Sequence, residues 1–252
     1  MNAAAKLVLT ASLLALSMVA SASDKDKEKA AATSYVDSGA FGVFVGGQRV
    51  MTETFHIGQA NGNSSISSQI NEGPATGTLL QKSDMDMTGS GELLRYNWSQ
   101  EKDPRSSLTV VPNNEFLLEK ITPPGATKPA EQPFLMTNKS PIMDNNFFVH
   151  RELLAWRFLA AACQPGTAPV LWQCKHDPAE FGVLVPQDRT SLHVRMSLVG
   201  KETISIRGTE RELLRLKLAG EAFEWALWVD EKDQFKLIKI SIPEANTEVV
   251  RD

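Results

Sequence analysis

The sequence is poor in the residues and motifs that most enzymes and metalloproteins use. It contains two cysteines and four histidines, and no two histidines stand at the H-x-x-x-H spacing of a helical zinc site. It also lacks a Gly-rich phosphate loop, a dinucleotide-binding fingerprint and a G-x-S-x-G nucleophile turn. We therefore expect no catalytic residues, no metal site and no cofactor, and we expect a protein that is not an enzyme.

An excess of basic charge is also absent. Lys and Arg total 26 against 30 Asp and Glu, which gives a net charge of −4 over 252 residues. A protein without a basic surface has little affinity for phosphate backbones, so nucleic acid is not an expected partner. Hydrophobic residues make up 42% and charged residues 22% of the chain, which is the composition of an ordinary globular protein.

Residues 1–22 carry the features of a secretory signal peptide. Lys6 supplies positive charge, residues 7–19 form an apolar run, and Ala20-Ser21-Ala22 is a small-x-small cleavage site. The alternative, a membrane anchor, is disfavoured because a bilayer span needs about 20 apolar residues. We expect an exported protein of the periplasm or the extracellular space, without a transmembrane segment after cleavage.

The rest of the chain is predicted to form a tail and one domain. Residues 23–34 begin with alternating charges and are predicted to be a flexible charged tail. Residues 35–252 are predicted to form a single β-rich domain, in which the Pro-rich segment 122–141 separates two halves. Because proline lacks a backbone donor, this segment is expected to be neither helix nor central strand. It is either a boundary between two lobes or an extended segment lying on the sheet.

Turn signals spaced about ten residues apart separate short runs that have the composition of strands. Gly46-Gly47 and Asn61-Gly62 are typical of hairpin turns, because the central positions of such turns favour positive φ. From Leu192 to Leu198, apolar and polar residues alternate, which indicates a half-buried strand. This pattern predicts an antiparallel arrangement of consecutive strands.

The two cysteines, Cys163 and Cys174, are predicted to form a disulfide. In an oxidising compartment an isolated pair is most often bridged, and Gln164-Pro165-Gly166 between them is a strong turn signal. Two free thiols are the main alternative. Redox or metal chemistry is disfavoured because the pair does not have the Cys-x-x-Cys spacing.

One segment, residues 145–162, has the pattern of a helix. Asp144 is a suitable N-cap, Met143 and Phe148 can form a hydrophobic staple, and Pro165 follows the end. Apolar residues cover most of its circumference, which predicts a helix buried inside the concave face of a curved sheet. They form two stripes: Phe147, Leu154, Phe158 and Ala162 on one side, and Val149, Leu153, Trp156 and Ala160 nearly opposite.

The sequence resembles a family of uncharacterised exported bacterial β-proteins, a domain of unknown function. The segments that carry the resemblance are Phe44–Gly47, Met143–Asn146, Phe181–Pro186 and residues 227–240. The resemblance implies a mainly β fold: a strongly curved antiparallel sheet or incomplete β-barrel, with one long helix in or across the concave face. It is similar in style to periplasmic carriers of lipid or lipidated peptide, and it implies no known reaction.

Two functions remain open at this point. The protein either binds an apolar ligand, such as a lipid or acylated peptide, in the concave face, or it is a structural or protein-interaction module of the envelope whose interior is filled. The candidate ligand-binding residues are His150, Ala155, Trp225 and Trp228, and one of the two tryptophans must face outwards because they are three residues apart on one strand. An unfilled apolar cavity distinguishes the two functions.

Overall fold

The structure, a computed structural model, describes residues 34–168 and 170–252. The predicted signal peptide and the tail residues 23–33 lie outside the described residues, and Ser34 opens the first strand. Within the described residues there are sixteen strands and one α-helix. The first eight strands are β1 (Ser34–Val45), β2 (Gln48–Ala60), β3 (Asn63–Glu72), β4 (Leu79–Thr88), β5 (Leu93–Gln100), β6 (Ser107–Asn113), β7 (Phe116–Thr122) and β8 (Ala130–Phe134).

The helix and eight further strands follow. They are α1 (Val149–Ala162), β9 (Cys163–Pro165), β10 (Trp172–Cys174), β11 (Ala179–Val185), β12 (Thr190–Ile206), β13 (Thr209–Ala219), β14 (Glu224–Asp230), β15 (Lys236–Ile242) and β16 (Thr247–Arg251). The helix is neither long nor apolar enough to cross a membrane.

Fourteen of the strands form one antiparallel sheet, in the order β11 to β16 and then β1 to β8. The junction is the pairing of β1 with β16, in which Phe41 lies opposite Arg251. This pairing joins the two halves of the chain into one sheet, so the alternative of two separate lobes is wrong. The edge strands β8 and β11 are not paired with each other, and the curved sheet is therefore an incomplete barrel.

The Pro-rich segment is an extended segment on the sheet. Its strand β8 pairs with β7 at the sheet edge, where a proline costs no ladder hydrogen bond. The chain then continues along the other edge: the Met143 amide donates to the Leu184 carbonyl, and the Leu184 amide donates to the Pro141 carbonyl, both over 2.9 Å. The segment thus partly covers the edge of β11.

The helix begins later than the sequence predicts. It starts at Val149, because Asn146 adopts a left-handed conformation (φ +62°) and Asp144 makes no cap contact with the first turn. The capping acceptor comes from the sheet instead: the carboxylate of Glu53 on β2 accepts the amide of Phe148 over 2.6 Å. The predicted N-cap is therefore wrong, since the helix start is fixed by a residue far away in sequence.

The sheet curves around α1. Contacts with the helix come from strands that are far apart in the sheet order, including β2, β5, β11 and β15, which requires a concave surface. On the inner side of the helix, Phe158 and Ala155 are almost completely buried in the hydrophobic core. The predicted fold class, mainly β with one helix in the concave face, is confirmed.

The predicted disulfide is present. Cys163 and Cys174 are bonded, and they lie opposite each other in the small β9–β10 hairpin directly after α1. The hairpin packs against the turn between β14 and β15 through Trp172, whose ring centre lies 4.9 Å from that of Phe235. The bridge thus fixes the end of the helix to a short cross-linked hairpin.

Candidate functional site

A cavity of about 510 Å³ lies between α1 and the inner face of strands β1 to β4. The helix therefore fills only part of the concave interior. The cavity walls also include the turn after β4 and the segment before α1. The residues that line the cavity include Ile57, Met85, Met87, Leu153, Trp156 and Arg157.

The helical side of the cavity is one face of α1. Leu153, Trp156, Arg157 and Ala160 have the spacing i, i+3, i+4 and i+7, which places them along one side of a helix. Ala155 lies about 200° around the helix from Leu153 and is completely buried. In the second apolar stripe of the sequence, Leu153, Trp156 and Ala160 are thus left partly or largely exposed, whereas Val149 is buried together with the first stripe.

The sheet side of the cavity is equally apolar. Ile57 on β2 and Met85 on β4 are buried, and Met87 is half-buried beside them. Because side chains alternate across a strand, the intervening Asp84 and Asp86 point to the other face. Asp86 pairs there with a surface arginine of β5 over 2.8 Å. The acidic residues of β4 therefore contribute nothing to the cavity.

Arg157 is the charged side chain at this cavity. No carboxylate appears among the lining residues, and the other polar residues are Gln59, Ser64, Ser90 and His150. The guanidinium of Arg157 donates to the carbonyl of Lys139, and its Cζ lies 5.9 Å from the centre of the Phe181 ring. Within residues 34–168 and 170–252 it forms no ion pair.

His150 lies in the cavity wall one helical turn before Leu153. Its Nδ1 accepts the backbone amide of Asp144 over 3.2 Å, so the hydrogen of the neutral ring is on Nε2. Burial and the positive charge of Arg151 lower the pKa of His150 to about 3, and the ring is neutral at physiological pH. In the described part of the chain, Nε2 has no hydrogen-bond partner.

Asp144 holds the chain segment before the helix. It accepts the hydroxyl of Tyr96 over 2.6 Å and the amide of Gln187 over 2.9 Å. Burial raises the pKa of Asp144, although both hydrogen bonds oppose that effect. Because its oxygens are occupied by these donors, Asp144 has a structural role and is not available as a general base.

Glu53 is buried beneath the start of α1. Besides the Phe148 amide, its carboxylate accepts the amide of Val149 over 3.2 Å and the hydroxyl of Ser68 over 2.7 Å. Burial raises the pKa of Glu53 to about 7. The three donors satisfy the carboxylate and leave no free oxygen for a ligand.

Glu152 connects α1 to the sheet on the opposite side. Its carboxylate accepts the Leu237 amide over 2.8 Å and the guanidinium of Arg251 over 3.0 Å. Arg251 also donates to both carboxylate oxygens of Asp37, over 2.7 and 2.6 Å. Two acids thus share one arginine, and burial raises the pKa of Glu152 to about 8.

The buried polar residues have the connections of structural groups. Glu53, Asp144 and Glu152 each accept at least one backbone amide that would otherwise be unsatisfied. Among the described residues, Oε2 of Glu152 and both carboxylate oxygens of the buried Glu119 have no hydrogen-bond partner. The described residues contain no cluster of three or more His, Cys, Asp or Glu that could hold a metal ion. The cavity is therefore the candidate functional site. It has apolar walls, one cation and one neutral histidine.

The four predicted ligand residues are not brought together. His150 lines the cavity, whereas Ala155 is packed into the core. Trp225 lies on the inner face of β14, with its ring centre 5.4 Å from Cζ of Arg151, and does not line the cavity. Trp228 faces outwards in a separate cluster with Ile206, Leu213 and Ile238. One tryptophan faces inwards and the other outwards, in agreement with their spacing.

Most of the cavity residues are not among the candidate residues that the sequence indicates. The sequence pattern places Trp156 in a packed apolar stripe, and Arg157 is not among the candidate ligand-binding residues. The i, i+3, i+4, i+7 spacing that includes Arg157 was the available signal, because a cation within an apolar helical face indicates an incompletely packed side. The strand residues Ile57 and Met85 carried no such signal.

The chain was compared with protein-family models, curated proteins and solved structures. No protein-family model and no curated protein matches the chain. Among solved structures, the chain is similar to a beta-barrel-like protein of the domain of unknown function DUF1849 from Brucella abortus. The TM-score is 0.48 at 4% sequence identity, and the match covers 85% of this chain and 94% of that chain.

Proposed function

We propose that this protein is a non-catalytic, exported protein that binds an apolar ligand, such as a lipid or an acylated peptide, between α1 and strands β1 to β4. The observation that carries the proposal is the cavity of about 510 Å³. Small-molecule pockets in proteins typically measure about 300–1,000 Å³ and have mostly apolar walls with a few polar groups. The cavity has this size and this composition.

The apolar face of α1 supports ligand binding over a purely structural role. Leu153 and Trp156 remain half-exposed, although the opposite side of the same helix is tightly packed. Exposed apolar surface is costly, and burying it stabilises by about 25 cal/mol per Å². A bound acyl chain would cover this surface, which explains why the chain keeps an apolar face there.

The alternative is an envelope protein that binds another protein and has no ligand in its interior. It requires the interior to be filled by the protein's own side chains, and the cavity argues against that requirement. Both proposals place the protein in the same cellular compartment, outside the cytoplasm. The signal-peptide features of residues 1–22 and the bridged Cys163–Cys174 pair both support an oxidising, extracytoplasmic compartment.

The hydrogen bonds of the buried carboxylates around α1 support a non-catalytic role, since none of these carboxylates lines the cavity. Glu53, Asp144 and Glu152 each accept at least two hydrogen bonds within the protein. A general base must instead be within reach of a substrate proton. His150 is neutral, but its one acceptor nitrogen is occupied by the Asp144 amide.

The test is ligand-dependent stabilisation together with a blocked cavity. The mature protein, stripped of lipid, is titrated with long-chain fatty acids and phospholipids while the melting temperature and tryptophan emission are recorded. A ligand that binds only the folded state raises the melting temperature with concentration. Native mass spectrometry of untreated protein shows whether a lipid copurifies.

The blocking variant is Ala160→Phe, which places a large ring in the cavity wall. Its matched control is Ala161→Phe, since Ala161 is an exposed neighbour on the same helix that does not line the cavity. We expect saturable stabilisation in the wild type and in the control, and none in Ala160→Phe. If no ligand shifts either signal in the wild type, the interaction protein replaces the binding protein as the better proposal.

A further inference from the structure

The charges around the cavity are asymmetric. Arg157 brings one permanent positive charge to its wall, and no carboxylate lines it. The hydrogen bond of Arg157 is accepted by the backbone carbonyl of Lys139. The nearby carboxylate of Glu92 is paired with the Lys139 ammonium over 3.6 Å, so its negative charge is already compensated. The local field at this end of the cavity is therefore positive.

Arg157 is placed at the exposed end of an apolar path. It lies two helical turns after His150, a rise of about 10 Å along the axis. His150 is buried at one end and Arg157 is exposed at the other, and Leu153 and Leu154 lie between them. This order, with a charge at the surface and apolar walls behind it, matches the order of groups in an amphiphile.

We infer that the ligand is a single-chain amphiphile with an anionic headgroup, a long-chain carboxylate, whose headgroup is bound by Arg157 and whose chain occupies the cavity. This inference rests on the proposed function and adds the class of ligand. A guanidinium binds a carboxylate through two parallel hydrogen bonds, which gives both strength and orientation. Because Arg157 is exposed, the headgroup keeps part of its hydration, and no isolated charge is buried.

Other headgroups fit the site less well. A cationic headgroup would lie beside the positive charge of Arg157 and would be repelled by it. A neutral headgroup would leave the guanidinium with its present acceptor, the Lys139 carbonyl, and would gain only the burial of its chain. The structure therefore predicts that affinity increases from the cationic to the neutral to the anionic amphiphile at constant chain length.

The experiment compares three amphiphiles that share one chain: palmitate, palmityl alcohol and cetyltrimethylammonium, each below its micelle concentration. Dissociation constants are measured by tryptophan emission and by calorimetry for the full mature protein and for Arg157→Gln. Arg105→Gln is the matched control, because Arg105 is exposed and does not line the cavity. Arg157→Lys tests whether positive charge without the guanidinium geometry is enough.

We expect palmitate to bind about tenfold more tightly than palmityl alcohol to the wild type and to the control. In Arg157→Gln this preference should disappear while the affinity for palmityl alcohol stays within about twofold, and Arg157→Lys should restore part of it. The preference should also weaken with added salt, since exposed charges are screened. Retained binding of the alcohol shows that the variant is folded.

Equal affinity for all three amphiphiles in the wild type would overturn the inference and leave the proposed function intact. A preference for palmitate that persists in Arg157→Gln would also overturn it, because another group would then bind the headgroup. If none of the three binds, the inference and the proposed function both fail.

Discussion

The carboxylate of Glu53, in the second strand, lies 2.6 Å from the backbone nitrogen of Phe148, the residue that precedes α1. Helix starts leave amide donors unsatisfied, and a nearby Ser, Thr, Asp or Asn usually accepts them. Here the acceptor comes from a strand that is 95 residues away in sequence. This contact therefore stabilises both the start of the helix and its attachment to the sheet.

Glu53→Ala is expected to lower the free energy of unfolding by about 2–4 kcal/mol, because two buried amides and the Ser68 hydroxyl lose their acceptor. Glu53→Gln keeps one acceptor oxygen and should cost less. Urea denaturation measures both. Glu72→Ala, which removes an exposed glutamate from the neighbouring strand, is the control and should change stability by less than about 0.5 kcal/mol. Equal effects of Glu53→Ala and the control would contradict the capping role.

Stability is expected to fall as pH rises from about 6.5 to about 8. Burial raises the pKa of Glu152 to about 8, so the folded chain keeps a proton that the unfolded chain has already released at lower pH. Folding then binds protons, and stability decreases with pH by up to about 2 kcal/mol in this range. Glu53, with its pKa raised to about 7, acts with the same sign.

His150 has the opposite effect, since its pKa is lowered to about 3, but it acts only below its ordinary pKa of about 6.5. Above that pH, the carboxyl groups of Glu152 and Glu53 determine how stability changes with pH. Urea denaturation at several pH values measures it, and Glu152→Gln, which cannot ionise, should flatten the curve. A wild-type stability that stays constant from pH 6.5 to 8 would show that Arg251 keeps Glu152 ionised, because a group ionised in both states gives no slope.

The two sides of α1 are expected to respond differently to truncation. Phe158 is 1% exposed, and Phe158→Ala should cost about 3–5 kcal/mol because it leaves a cavity in the core. Trp156 is half-buried and lines an existing cavity, so Trp156→Ala should cost at least about 1 kcal/mol less. The full packing that the sequence predicted for Trp156 requires equal losses. Thermal and urea unfolding of both variants distinguish the two cases.

Removal of the Cys163–Cys174 bridge is expected to destabilise the protein by about 3 kcal/mol, since a short closed loop restricts the unfolded chain. The double variant Cys163→Ser, Cys174→Ser measures the loss. Thiol titration of the denatured, unreduced protein should find no free thiol. If the double variant is as stable as the wild type, the hairpin after α1 makes no net contribution to the free energy of unfolding.

The sequence by itself determined the class of fold and the bridge. Paired turn residues such as Gly46-Gly47 require positive φ, and both residues have it in the structure. Alternation along Leu192–Leu198 predicts a strand with one buried face, and in β12 Val194, Met196 and Leu198 are buried, whereas Leu192 at the start is exposed. The cysteines, a single pair on either side of a turn, were predicted to be bonded and are. These features depend on neighbours in the chain, so local patterns are enough to predict them.

Only the tertiary structure decided where α1 begins and which of its sides is left uncovered. Asp144 has the right residue type for an N-cap, but it is bound by Tyr96 and Gln187, and Glu53 takes its place. Leu153 and Trp156 are as apolar as the packed residues on the opposite side of the helix. The periodicity of apolar residues therefore cannot show that a cavity separates these two side chains from the curved sheet. The size of the cavity depends on the curvature of strands that are distant from α1 in sequence. No local sequence pattern determines that curvature.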